Sequence, residues 1–383
     1  MSVSTLIQME SCPKQWAQRN AHYPAVWDGR GYPPRPHLRA IEGRIVHETL
    51  RTLLGAFLRN GCTGLNDPRA VATLRELGGL TAVIEVQTRS ELAAFAANPR
   101  AQRPLPDVTR RVLASAPALR TTVQLLLRRI SLPGAFVPIG ESSPSLGRHA
   151  LALGLYREVT LEVPALGWRG TVDLLNLAPD GCGIVEFKTG APSEDHVFQV
   201  RAYAVLWRDA TDLNHAGVRA NRLTLSYPAS TIEVAGPSDA EIETLRDEMQ
   251  QRAVAARASV ATPNPEARID VEKCRYCDVR HMCEAYWVST IPGLPATGSA
   301  LIDIEVRLNA KVASRTWTAS MVAPRWQGAS PVLVTFVRDG ECTVDGLHPG
   351  ITLRILGAIL SVDMDDEVRQ TVVVTTNSEI FAR

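Results

Sequence analysis

The chain has 383 residues, enough for two domains with a substantial buried core, and its 41 basic residues nearly balance 40 acidic ones, leaving a formal net charge of +1. That balance excludes a uniformly basic polyanion binder, so any nucleic-acid groove has to be a local patch. No apolar run is long enough to span a bilayer and the polar N-terminus lacks a secretory leader's hydrophobic stretch. A cytoplasmic protein without membrane contact is expected, whose seven cysteines bind metal or stay reduced.

Residues 2–20 read as a short helix capped by Ser4, with Leu6, Ile7, Met9 and Trp16 as apolar contacts and Cys12 toward its end. The Pro- and Gly-rich stretch 24–37 is a loop. Residues 38–60 repeat Ile41, Ile45, Leu50, Leu53, Leu54 and Phe57 at helical spacing, with His47 beside the stripe, four residues after Gly43. Taken alone, such a histidine is more often packed or exposed than a ligand. Residues 61–150 carry helical patterns at 71–98 and 107–130, giving a helical subdomain that forms a wall or arch over the site described next. Its Arg110, Arg111, Arg120, Arg128 and Arg129 either face phosphates or solvate helix surfaces, the simpler reading in an arginine-rich chain.

Residues 155–175 read as a β-hairpin with its turn at 164–167, and Glu158 near the start of its first strand is either a site residue or an exposed carboxylate. The hairpin ends in GTVDLL (170–175), followed by IVEFKTG (184–190) and QVRAY (199–203). Asp173 and Glu186 each interrupt a run of strand formers, and a half-buried carboxylate must be paired, hydrogen-bonded or bound to a cation. Alternation puts Glu186 and Lys188 on one face, and antiparallel pairing brings Asp173 beside them. Two carboxylates and a backbone carbonyl suit a hard divalent cation, which activates water and offsets charge on a phosphate, while an ammonium steadies that charge. The plainer alternative is a solvated Glu186–Lys188 ion pair. The lysines are only Lys14, Lys188, Lys273 and Lys311, so a lysine at 188 in an arginine-rich chain points to chemistry that a broad guanidinium cannot perform.

Residues 195–209 form the next helix, with Gln199 and Tyr203 on one face. Strands follow at 221–227 and 231–235, then a polar helix at 238–258 opened by a Ser238–Glu241 capping box. CRYCDVRHMC places Cys274, Cys277 and Cys283 close enough to need a cation, with a fourth ligand open among Cys12, Cys62, Cys182, Cys342 and His281. A linker at 289–300 leads to strands at 302–313, 332–338, 351–360 and 371–377. These suggest a small OB-like β-barrel over 301–383, with Trp317, Trp326 and Phe336 either stacking bases or filling the core.

At GTVDLL, IVEFKTG, QVRAY and the cysteine spacing, the chain resembles the PD-(D/E)xK nuclease superfamily, in particular its RecB-like and Cas4-like iron-sulfur branch, from the N-terminus to about Trp287. The resemblance implies an α/β restriction-endonuclease-like core with a mixed central sheet and a helical insertion, filling a nuclease domain over 1–288. It implies Asp173, Glu186 and Lys188 as catalytic residues, and Gln199 and Tyr203 as DNA-positioning residues. His47, in GRIVHETL, joins Asp173, Glu186 and the Phe187 carbonyl at Mg²⁺ or Mn²⁺. Cys12 becomes the fourth ligand of a structural [4Fe–4S] cluster with Cys274, Cys277 and Cys283, four-cysteine zinc being the runner-up.

The expected activity is metal-dependent DNA hydrolysis, with exonuclease or end-trimming action on single-stranded DNA or free ends, beside a helicase or other ATPase or a genome-defence partner. The contrasting expectation is a catalytically inactive DNA-binding or scaffolding subunit of such a complex. A binding-only module has no reason to keep buried charges that cost stability. A third, a zinc-stabilised adaptor, requires the triplet at 186–188 to be accidental.

Overall fold

Pro13 decides how the chain starts. Without an N–H and with φ fixed, it opens a helix and ends the one before it. The single helix expected over 2–20 is therefore two, α1 (Val3–Ser11) and α2 (Pro13–Asn20), and Cys12 caps α2 by accepting the Gln15 N–H at 3.4 Å. Ser2 rather than Ser4 caps α1, its hydroxyl accepting the Thr5 N–H at 3.1 Å. The computed structural model of the protein describes residues 1–27, 31–132, 149–289, 298–323, 332–336, 346–363, 369–375 and 377–383. The chain divides into two units. No described helix is long and apolar enough to cross a membrane.

The first unit comprises Met1–Ser11, Pro36–Ala97 and Asp107–Ala261. In α3 (Leu38–Arg59) the apolar stripe is buried as its periodicity demands, through Ile41, Ile45, Leu50, Leu53, Leu54 and Phe57. The insertion folds as α4 (Pro68–Glu76), α5 (Leu80–Ala93), α6 (Leu105–Ala114) and α7 (Ala116–Leu127), with α4, α5 and α7 packed on α3. Arg110 and Arg111 pair with Asp107 on their own helix, and Arg129 donates to the Pro228 carbonyl, so these arginines hold local structure.

The sheet follows: β1 (Gly154–Val163), β2 (Trp168–Ala178) and β3 (Gly181–Phe187), then α8 (Glu194–Asp209), β4 (Ala220–Ser226) and β5 (Thr231–Ala235), in spatial order β1-β2-β3-β4-β5. Every pair is antiparallel except β3–β4, which α8 joins as the crossover that a parallel pair requires. The sheet is thus mixed, as expected. After it, α9 (Asp239–Val260) carries the expected Ser238–Glu241 capping box and packs on α1 and α8.

The second unit comprises Cys12–Arg35, Asn98–Pro106 and Thr262–Arg383. It contains α10 (Val271–Cys274), a short 3₁₀ turn at Arg280–Met282 and α11 (Glu284–Ser289). Residues 290–297, most of the expected linker, lie outside the described residues, and the next strand starts at Gly298. The strands are β6 (Gly298–Ala313), β7 (Thr316–Ala323), β8 (Val332–Phe336), β9 (Thr352–Asp363), β10 (Arg369–Val374) and β11 (Glu379–Ala382). They run β10-β8-β7-β6-β9, and pairing of β9 with β10 closes a five-stranded barrel, in which β8–β10 is the parallel contact. Gly357, at φ 68, separates the half of β9 that pairs with β11 from the half that pairs with β10.

The sequence reading lacked β7 and β11. In TWTASMVA the inward positions Trp317, Ala319, Met321 and Ala323 include two alanines, and the outward positions include the apolar Val322, so the alternating apolar signal is faint. Trp317 and Phe336, each 6% exposed, lie in the barrel core with Val306, Val334 and Ile355. They are therefore closed to base stacking. Trp326 lies outside the described residues.

Candidate active site

The register of β2 against β3 pairs Leu174 with Val185 and Leu175 with Ile184; continued by one residue, it sets Asp173 opposite Glu186. Directly opposed residues of an antiparallel pair share a face, so the two carboxylates meet. Asp173 Oδ2 accepts the Phe187 N–H at 2.7 Å. Lys188, two residues beyond Glu186, donates to Glu186 Oε1 at 2.9 Å and to Gln199 Oε1 at 2.7 Å. The Gln199 amide in turn donates to Glu186 Oε1 at 3.1 Å and to the Tyr203 hydroxyl at 2.7 Å. Glu186 Oε1 is thereby satisfied twice, while its Oε2 is buried without a hydrogen-bond partner.

Helix spacing delivers Gln199 and Tyr203 from one face of α8. The Tyr203 ring lies over Gly170 of β2, where an added Cβ would fall 2.6 Å from it. Gly170→Ala is therefore expected to displace Tyr203 and loosen the Gln199 network, at a cost of about 1–3 kcal/mol. Thermal unfolding of that variant against wild type checks this, and an unchanged midpoint would refute it.

From α3, His47 Nδ1 reaches to 3.9 Å from Asp173 Oδ1. Gly43, one turn earlier, permits this approach, since a Cβ there would stand 3.1 Å from Thr189 Oγ1 in the loop after β3. Glu158, whose role the sequence left open, also enters the site. It falls between the pairs Arg157–Leu174 and Val159–Val172, opposite Asp173, with φ 52. A positive φ at glutamate is strained, and such strain collects at functional sites.

Burial foremost pushes both site acids up to about 7; Glu158 adds to the rise at Asp173, and Asp173 to that at Glu186, while Lys188 opposes both. Burial holds His47 below the usual imidazole value, with Lys188 adding to the effect, so at neutral pH it is an uncharged donor. Among the described residues no group of three or more His, Cys, Asp or Glu is arranged so as to hold a metal ion. The donors nevertheless have the chemistry a hard cation needs: two opposed carboxylates, one buried unpartnered oxygen and a neutral imidazole.

Because both acids are raised in the folded state, their stabilising contribution is complete below about pH 4 and is lost as pH rises through about 7. The metal-free protein should therefore melt at a lower temperature at about pH 8 than at about pH 5.5, and Mg²⁺ should raise the midpoint more at the higher pH. Asp173→Asn should flatten both trends. Midpoints that rise with pH in wild type but not in the variant would contradict the assignment.

The six described cysteines are free thiols. Cys12, Cys274, Cys277 and Cys283 all belong to the second unit, whereas Cys62 and Cys182 belong to the first. Cys12 and Cys283 both act electrostatically on Cys274, and Cys12 and Cys274 on Cys277, whose thiol burial pushes up to about 12. The His281 ring stacks on Phe381 at 3.8 Å, and its Nδ1 is buried without a hydrogen-bond partner. Cys342 lies outside the described residues.

The family model for the PD-(D/E)XK nuclease superfamily matches residues 1–284. No curated protein gives a significant match. Among solved structures, the tetrameric p202 HIN2 is 17% identical with a TM-score of 0.18, covering 23% of this chain and 44% of that one. SSO0001 is 20% identical with a TM-score of 0.22, covering 34% and 61%. The p204 HINb domain is 12% identical with a TM-score of 0.19, covering 62% and 100%. This chain thus spans less than two thirds of the length of the first two, 44% and 61%.

Proposed function

This chain belongs to the PD-(D/E)XK nuclease superfamily, and from that premise we propose that it is a divalent-metal-dependent deoxyribonuclease of the RecB-like and Cas4-like iron-sulfur branch, trimming single-stranded DNA or free ends. The carrying observation is Glu186: Lys188 and Gln199 saturate Oε1, and Oε2 is left buried and unpartnered, facing the need for a cation rather than another protein donor. Asp173, Glu186, His47 and the Phe187 carbonyl would hold Mg²⁺ or Mn²⁺, which when bound supplies Lewis acidity and a more acidic water. Lys188, fixed between two acceptors, orients the attacking water and offsets charge on the phosphate. Tyr203 and Gln199 position the strand and keep Lys188 aimed.

Cys12, Cys274, Cys277 and Cys283 would carry a structural [4Fe–4S] cluster. Their membership of one unit and the apolar surroundings of Cys283 support this reading. In domain terms, residues 1–288 would carry the nuclease function, and the expected linker 289–300 leads to an OB-like barrel whose first strand, β6, already starts at Gly298. If the barrel strands are numbered one to five from β6, they close in the order 1-2-3-5-4, which supports the OB-like reading. A cytoplasmic setting beside a helicase or a defence-system ATPase fits a nuclease of this type. The test is degradation of single- and double-stranded DNA and RNA with Mg²⁺ or Mn²⁺, wild type against Lys188→Ala. Equal degradation by the two proteins would leave a DNA-binding scaffold.

A further inference from the structure

The α8 face that bears Gln199 and Tyr203 extends one turn further toward its N-terminus, to His196, so that positions 196, 199 and 203 form one stripe. His196 Nδ1 lies 2.8 Å from the Tyr227 hydroxyl, just past the end of β4. Tyr227 is buried and held from two sides. Its backbone N–H donates to the Ser230 carbonyl at 2.8 Å, and Arg129 donates to the Pro228 carbonyl next to it at 3.2 Å.

The hydroxyl has a single proton to give. The His196–Tyr227 hydrogen bond can run in either direction, and in the one where the phenol donates, its proton goes to His196 Nδ1. A neutral ring that accepts at Nδ1 must carry its own proton on Nε2. Burial, and Lys188 after it, hold His196 below the usual imidazole value, which keeps the ring neutral. Among the described residues Nε2 has no hydrogen-bond partner, and the ring is only half-buried. In that tautomer the ring presents a neutral N–H donor at Nε2 on the Gln199–Tyr203 face, within electrostatic reach of Lys188.

We propose that His196 is a positioning residue whose Nε2–H donates to a non-bridging oxygen of the substrate phosphate adjacent to the scissile one, on the Lys188 side, with Tyr227 setting its tautomer. This rests on the nuclease reading of the same site. A phosphate oxygen is an acceptor only, so a donor of fixed tautomer suits it, and a neutral one leaves the cation balance around Glu186 undisturbed.

The test uses the full-length protein with Mg²⁺ and a fluorescently labelled single-stranded oligodeoxynucleotide, comparing wild type, His196→Ala, His196→Gln, His196→Asn and Tyr227→Phe. KM and kcat are measured under steady-state turnover, affinity for the same oligonucleotide with Ca²⁺ in place of Mg²⁺, and thermal unfolding for each protein. His196→Ala should raise KM and weaken binding about five- to tenfold, with a smaller change in kcat. Glutamine places its amide N–H near the Nε2 position and should restore most of the loss. Asparagine mimics only the Nδ1 side and should not. Tyr227→Phe, which frees the tautomer, should fall between wild type and alanine. KM and affinity unchanged in all four variants, or rescue by asparagine rather than glutamine, would overturn the proposal and leave His196 as a brace between α8 and β4. If the wild type binds the oligonucleotide without cleaving it, the nuclease reading falls, and the affinity series still decides the role of His196.

Discussion

Lys188→Ala is expected to lower the rate of phosphodiester cleavage by about a thousandfold or more, with little change in fold. The ammonium bridges Glu186 Oε1 and Gln199 Oε1 at 2.9 and 2.7 Å, so its truncation removes the group that offsets phosphate charge and also releases the Gln199 amide that it orients. A second effect follows from electrostatics. Lys188 holds down both Asp173 and Glu186, which already stand at about 7, so without it both acids rise further and stay protonated across neutral pH. Protonated acids bind a cation poorly. Residual activity and Mn²⁺ affinity of Lys188→Ala should therefore climb more steeply between about pH 7 and pH 9 than those of wild type. Lys188→Arg should not rescue, because a planar fork cannot occupy the narrow space between two acceptors that a compact ammonium fills. Paired measurements of turnover and Mn²⁺ binding across that range decide the matter. Wild-type turnover in either variant would remove Lys188 from the chemistry.

Much of this site could be read from the sequence because its geometry is set by short-range rules. Alternation along β3 places Glu186 and Lys188 together, helix period places Gln199 and Tyr203 together, and both appear as direct hydrogen bonds. The turn at 164–167 and the Ser238 capping box are equally local and stand where they were expected. What escaped depends on residues far apart in the chain or on backbone geometry. Nothing in the residue type at 158 announces a glutamate at φ 52, and nothing in TWTASMVA announces a barrel strand until its neighbours β6 and β8 are in place. The break at Pro13 was available from proline's missing donor, but the helical pattern on either side of it outweighed that signal. The role of Trp317 and Phe336 turned on which side of a closed barrel each side chain faces, and strand alternation cannot assign that without the register.

On the proposed reading of a [4Fe–4S] cluster, Cys277→Ser is expected to abolish binding of iron and sulfide and to unfold the second unit rather than merely weaken it. A structural metal site can contribute on the order of 10 kcal/mol, comparable to the whole stability of a domain. The cysteine segments have little regular structure of their own. α10 is four residues long, and the next regular structure is a single 3₁₀ turn. What those segments do have is a dense connection to the barrel. Cys283 packs with Tyr286, Trp287, Ala323 of β7 and Leu356 of β9. Buried Arg354 of β9 donates to Glu305 at 2.6 Å, to the His281 carbonyl at 2.6 Å and to Glu284 at 2.7 Å, and Arg280 pairs with Asp303 of β6 at 2.5 Å. A guanidinium this buried is tolerated only while all its partners are in place. Loss of the ligand set should therefore move the His281 carbonyl and Glu284 away from Arg354 and carry the damage into the barrel. The expected readouts are loss of the visible absorbance of oxygen-free preparations and a changed fluorescence of buried Trp287 and Trp317. Cys182→Ala, a substitution in the core of the first unit, should keep its iron and cost only about 1–3 kcal/mol. Zinc without sulfide in wild-type protein purified without oxygen would replace the cluster with a four-thiolate zinc site. Full iron retention in Cys277→Ser would exclude that cysteine as a ligand altogether.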